Sequence, residues 1–153
     1  MFTVTVKPDF DRRKKERKEK TEDISFAGKR ILLVEDHPLN VIVAKGLLEK
    51  KQFEVVTAEN GRKAVELVEN FPEYYFDAVL MDIRMPVLDG IGAARELRAL
   101  DREDVKDLPI IPMTANAGEE DRKQTREAGM NEHLAKPIDP KLLYATLQKF
   151  ILS

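Results

Sequence analysis

The chain has 153 residues, 42% of them hydrophobic and 35% charged, with no cysteine and a formal charge of −2. That length gives one ordinary domain with a real core and an appended tail, and the apolar runs are too short to cross a membrane or to act as a signal peptide. Without cysteine there is no disulfide, thiolate metal site or thiol nucleophile, so the chemistry falls to oxygen and nitrogen groups in a chain suited to the cytoplasm.

Residues 1–28 stand apart as an N-terminal extension or linker. Residues 2–6 (FTVTV) alternate like one strand, and a lone strand cannot fold by itself. Residues 11–20 (DRRKKERKEK) carry +4, which leaves −6 for the rest. Glu16 and Glu19 interleave with the basic groups, so this run reads as a solvated helix or linker rather than a nucleic-acid patch. The acidic remainder also lacks the clustered Lys and Arg that phosphate-backbone binding needs. The extension reads either as the trailing strand of an upstream domain or as an unrelated, disordered leader.

Residues 29–153 alternate short apolar runs with helical patterns. ILLV leads to a helix from about Pro38 to Lys50, EVVTA to one from Gly61 to Asn70, and AVLMD to one near Ile91 to Leu100. IIPMT leads to one near Gly118 to Ala128, and EHLA to a last one near Pro140 to Leu152. Five strand-then-helix units predict a buried parallel sheet with helices on both faces, since parallel strands need crossover connections. The punctuation agrees: Asn60-Gly61 and Asp89-Gly90 mark turns, Ala128-Gly129 a helix end, and Pro38 and Pro140 helix starts.

The polar residues that close these runs carry the functional signal. Glu35 and Asp36 end the first, Asp82 the third, Thr114 the fourth, and Lys136 with Pro137 the fifth. In an open parallel sheet the ligand crevice lies outside the carboxyl ends of the strands, so these groups converge. Taken singly each has an ordinary explanation: a helix N-terminal acidic pair, an N-cap threonine, a solvated lysine. Together, three carboxylates, a hydroxyl and an ammonium suit a divalent cation and a phosphoryl group. Asp82 is the candidate nucleophile, Mg2+ offsets the repulsion between carboxylates, Lys136 and the Thr114 hydroxyl meet phosphoryl oxygens, and the small Ala115 lets its backbone N–H approach.

The segments LLVEDHPLN (32–40), VLMDIRMPVLDG (79–90), PMTANA (112–117) and HLAKP (133–137) resemble the receiver domain of two-component response regulators, over about Gly28 to Ser153. The resemblance implies a flavodoxin-like (βα)5 fold with strand order 2-1-3-4-5. It also implies Asp82 as phospho-acceptor, Mg2+ on Glu35, Asp36, Asp82 and the backbone carbonyl of Arg84, Thr114 as the switch hydroxyl, and Lys136 on the phosphoryl group. Pro137 is similar to the family's cis-proline, and Arg84 and Asn116 occupy positions that tune acyl-phosphate lifetime. The switch position that is usually Tyr or Phe is here His133, a departure whose bland reading is a partly exposed edge residue. His37 reads as a surface residue rather than a ligand, because Mg2+ prefers oxygen.

The implied phosphodonor is a histidine kinase or a histidine phosphotransfer domain, with no nucleic acid and no membrane contact by this segment; a homodimer would use the fourth and fifth helical faces. The receiver would catalyse its own aspartyl phosphorylation, and the N-terminal strand makes it most like the receiver of a hybrid sensor histidine kinase, with a stand-alone response regulator as the alternative. A haloacid-dehalogenase-like phosphatase is disfavoured, since Asp82-Ile83-Arg84 lacks the second carboxylate of a DxD nucleophile. Neither a P-loop nor a glycine-rich dinucleotide turn is present.

Overall fold

The computed structural model describes residues 25–115 and 118–152. The FTVTV segment, the basic run and Asn116 lie outside the described residues. Five strands, β1 (Arg30–Val34), β2 (Glu54–Ala58), β3 (Ala78–Asp82), β4 (Ile110–Thr114) and β5 (Leu134–Ala135), form one sheet in the order β2-β1-β3-β4-β5. Every neighbouring pair is parallel. The helices are α1 (Pro38–Lys50), α2 (Gly61–Asn70), α3 (Gly90–Ala99), α4 (Glu119–Glu127) and α5 (Pro140–Leu147), with a single helical turn at Asp104–Asp107. This is the flavodoxin-like order expected from the motifs.

Successive strand residues face opposite sides, so each run feeds two cores. Leu32, Val34, Val79, Met81 and Ile110 pack with Val65 and Val68 of α2 and Ala94 and Leu97 of α3. Ile31, Leu33, Leu80, Ile111 and Met113 pack with Leu48 of α1 and Leu143 and Leu147 of α5. Burying each such aliphatic side chain is worth about 1.5–3 kcal/mol, which is why the central strands are apolar on both faces.

Three local expectations need correction. EVVTA is not a buried run: Glu54 and Thr57 are exposed, because β2 is an edge strand with only β1 beside it. The fifth strand shrinks from EHLA to Leu134–Ala135, paired only with Met113 and Thr114 at the opposite edge. The last helix ends at Leu147 and continues as a π-helical segment, Gln148–Leu152. The N-terminal boundary also falls inside the packed unit. Phe26 is buried, its ring stacks on Phe53 with centroids 4.4 Å apart, and its N–H donates to the Lys51 carbonyl at 2.9 Å.

Two of the turn signals act as helix caps. The Asn60 side chain accepts from Lys63 N and Asp89 accepts from Gly92 N, each satisfying a first-turn N–H that has no helical partner. Gly90 then admits α3 to the end of β3, since a Cβ there would collide with the Asp82 carbonyl oxygen. Gly129, with φ +86°, turns the chain out of α4. Arg98 of α3 holds that turn, donating to the Gly129 carbonyl through Nε at 3.0 Å and Nη2 at 2.7 Å.

Candidate functional site

The carboxyl ends of β1, β3, β4 and β5 bring the expected residues into one crevice. Glu35 follows β1 and is fixed through its backbone, its N–H donating to the Ala58 carbonyl at 3.0 Å. Asp82 ends β3, and its neighbour Ile83 donates to the Met113 carbonyl at 3.2 Å. Thr114 ends β4, buried, and its carbonyl accepts from Lys136 N at 2.8 Å. That bond places Lys136 beside Asp82 even though β5 is only two residues long. The Lys136–Pro137 peptide bond is cis.

Lys136 Nζ lies 3.2 Å from Asp82 Oδ1 and 3.3 Å from each oxygen of Glu35. Asp82 Oδ1 also accepts from the Arg84 backbone N–H at 3.3 Å. Glu35, Asp36 and Asp82 each present an oxygen within 4.8 Å of the others; Asp36 is exposed, the other two are buried. Burial pushes the Glu35 carboxyl up to about 7; the hydrogen bond that its protonated form donates to Asp82, and the Asp82 charge, add to the rise, while Asn40 and Lys136 oppose it. Three carboxylates around one ammonium leave excess negative charge in a partly dry pocket. An all-oxygen donor set of that charge fits Mg2+, which is held by one or two carboxylates together with water and phosphate.

The remaining candidates are placed as follows. Ala115 is exposed, directly after Thr114. The Arg84 side chain points to solvent and makes a 3.9 Å ion pair with Asp121 of α4. His37 is the exposed residue preceding α1, without a side-chain cap. His133 precedes β5, half-buried, with Nε2 3.1 Å from Thr125 Oγ1 of α4. The Thr125 hydroxyl donates to the Arg122 carbonyl at 3.0 Å, so the histidine nitrogen is the donor to Thr125. Burial and the nearby Arg122 guanidinium hold His133 below its ordinary value, against an opposing pull from Asp121.

Sequence reasoning missed Asn40. Its Nδ2 donates to Glu35 Oε1 at 2.6 Å from the first turn of α1. The only available signal was its position in the run after the acidic pair. Also missed was an apolar hollow of about 180 Å³ beside the acids, lined by Leu39, Val43, Ala44, Met113 and Ile138 and closed at its polar end by Glu35, Asn40 and Lys136.

The response regulator receiver domain model matches residues 31–148, which contain every one of these groups. The chain belongs to the response regulator receiver domain family. This receiver is 40% identical over 124 residues to hybrid signal transduction histidine kinase M of Dictyostelium discoideum, covering 80% of this chain and 5% of that one. It is 38% identical over 130 residues to the aerobic respiration control sensor protein ArcB of Escherichia coli, covering 84% and 16% respectively. The receiver thus spans only a small part of either relative. A solved structure, the receiver domain of sensor histidine kinase PA1611 from Pseudomonas aeruginosa PAO1, is 44% identical with a TM-score of 0.75, covering 83% of this chain and all of that one. That relative holds a magnesium ion coordinated in its active-site cleft. The receiver described here is a component of two-component phosphorelay signalling. Among the described residues no helix is long and apolar enough to cross a membrane.

Proposed function

We propose that this receiver accepts a phosphoryl group from phosphohistidine onto Asp82, with Mg2+ held by Glu35, Asp36, Asp82 and the Arg84 backbone carbonyl. The single observation that carries this reading is the Lys136 ammonium set between the Asp82 and Glu35 carboxylates, beside a third carboxylate. In the transfer, an Asp82 oxygen forms the new O–P bond as the P–N bond to the donor imidazole breaks. The bonding pair returns to that imidazole nitrogen, so no oxidant or further reactant is needed. Bound Mg2+ supplies charge neutralisation to the phosphoryl oxygens. Lys136 stabilises charge on the same oxygens, and the Thr114 hydroxyl and Ala115 N–H receive others.

The phosphodonor is a histidine kinase or a histidine phosphotransfer domain, and the exposed Leu39, Ile42 and Val43 of α1 give it an apolar rim to dock on beside the acids. Phosphorylation draws the Thr114 hydroxyl toward Asp82 and biases a two-state equilibrium. His133 serves as the switch residue, and its bond to Thr125 carries that change into α4. The parent chain is a hybrid sensor histidine kinase, like the Dictyostelium relative, with the receiver packed from Phe26 onward and the preceding residues an extension from the kinase part.

The test is intact-protein mass after incubation with acetyl phosphate, with and without Mg2+, beside an Asp82→Asn control. A Mg2+-dependent gain of one phosphoryl group that the control lacks is expected. No gain in the wild type, with acetyl phosphate or with a phosphorylated donor domain, rejects the reading.

A further inference from the structure

We infer that Asn40 is a positioning residue that keeps the Glu35 carboxylate in place when Lys136 leaves it for the phosphoryl group; this rests on the phospho-acceptor reading of Asp82. The Glu35 side chain is 1% exposed, so water cannot satisfy its oxygens. Two side chains donate to it: Lys136 Nζ at 3.3 Å to both oxygens, and Asn40 Nδ2 at 2.6 Å to Oε1. Lys136 is shared, because it also stands 3.2 Å from Asp82 Oδ1.

Phosphorylation of Asp82 changes the competition between these two donors. A phosphoryl group carries close to two negative charges and three acceptor oxygens, against one charge on the carboxylate it modifies. The ammonium, on a flexible stem, follows the larger charge. A neutral amide gains little from that charge, and Asn40 sits on the rigid first turn of α1, behind Pro38. It therefore stays on Glu35 in both states. Without it, departure of Lys136 would leave the buried carboxylate to the cation alone, with no side-chain donor to fix how its oxygens face. The amide is neutral, so it performs this task without competing for the phosphoryl oxygens as a second cation would.

The experiment compares the wild type with Asn40→Leu, which keeps the shape and removes both amide donors, and Asn40→Gln, which returns the amide on a longer stem. Mg2+ affinity is read by calorimetry, phosphorylation rate at saturating Mg2+ by intact mass, and folding by thermal melts. For Asn40→Leu we expect roughly a tenfold loss in rate and a weaker Mg2+ affinity, the size expected for one hydrogen bond to a charged group, with a melting temperature near that of the wild type. Asn40→Gln is expected to recover part of both losses. Wild-type rate and affinity in Asn40→Leu overturn the inference, as does a loss that tracks a lowered melting temperature and is not relieved by Gln. In either case the phospho-acceptor reading survives. A wild type that takes no phosphoryl group removes that reading and the inference together.

Discussion

Lys136 Nζ stands 3.2 Å from Asp82 Oδ1, the two residues closing β5 and β3 and meeting past the end of the intervening β4 at the carboxyl edge of the sheet. The contact is charge-assisted and mostly shielded from solvent, so its removal is felt in the transfer step more than in folding. Lys136→Ala is expected to lower the rate of phosphorylation by acetyl phosphate by about 100-fold or more, the range seen when one preorganised donor is lost. Mg2+ binding should persist or strengthen, since a competing cation is gone. Stopped-time mass measurements together with Mg2+ calorimetry separate the two effects.

The raised carboxyl of Glu35 links metal binding to pH. Its folded value is about 7 against an ordinary 4.5, so the metal-free fold keeps a proton that the unfolded chain has already released. Folding then binds the extra proton, and stability of the metal-free protein falls as pH rises from about 4.5 to about 7. Mg2+ needs the ionised form, so its affinity should rise across pH 7, with proton release visible as a buffer-dependent heat. Glu35→Gln should flatten the metal-free stability profile and raise the melting temperature at pH 8, while weakening Mg2+ binding. A melting curve for Glu35→Gln with the wild-type pH slope contradicts this account.

His133 gives the opposite slope. Burial, with the nearby Arg122 charge, lowers its folded value below the ordinary 6.5. The unfolded chain takes the proton first, so the stability held by the neutral ring is complete above the ordinary value and is lost as pH falls through the folded one. Nitrogen-detected NMR of the imidazole should show a midpoint below 6.5, and His133→Gln should make the acid side of the stability profile shallower. A midpoint at or above the ordinary value refutes it.

Two glycines predict opposite outcomes for the same substitution. Gly90→Ala forces a Cβ into the Asp82 carbonyl, and moving that backbone should cost about 1–3 kcal/mol together with slower phosphorylation. Gly46 lies within α1 with nothing near its would-be Cβ, so Gly46→Ala should stabilise by about 0.5–1 kcal/mol and leave phosphorylation unchanged. Denaturant midpoints and the acetyl phosphate assay on both variants check the pair.

The sequence by itself determined the parallel strand-then-helix architecture, the two-sided core and the chemical types gathered at the strand ends; the strand order came from the resemblance of the motifs to the receiver family. Strand-length apolar runs each ended in Glu35, Asp82 or Thr114, and a parallel sheet can only bring those ends to one edge. Tertiary structure decided what depends on neighbours distant along the chain. The exposure of β2 follows from its having one partner strand rather than two. The inclusion of Phe26 in the core follows from a ring stack on Phe53, which no local pattern encodes. The Glu35 carboxyl is pushed up by burial under α1 and by Asp82, and Asn40 reaches it only because the turn between them folds α1 back over the end of β1. His133 takes Thr125 as its partner because α4 packs beside the short fifth strand. Residue type and spacing fix which groups are available; desolvation and hydrogen-bond partnership, which set how those groups behave, are properties of the packed chain.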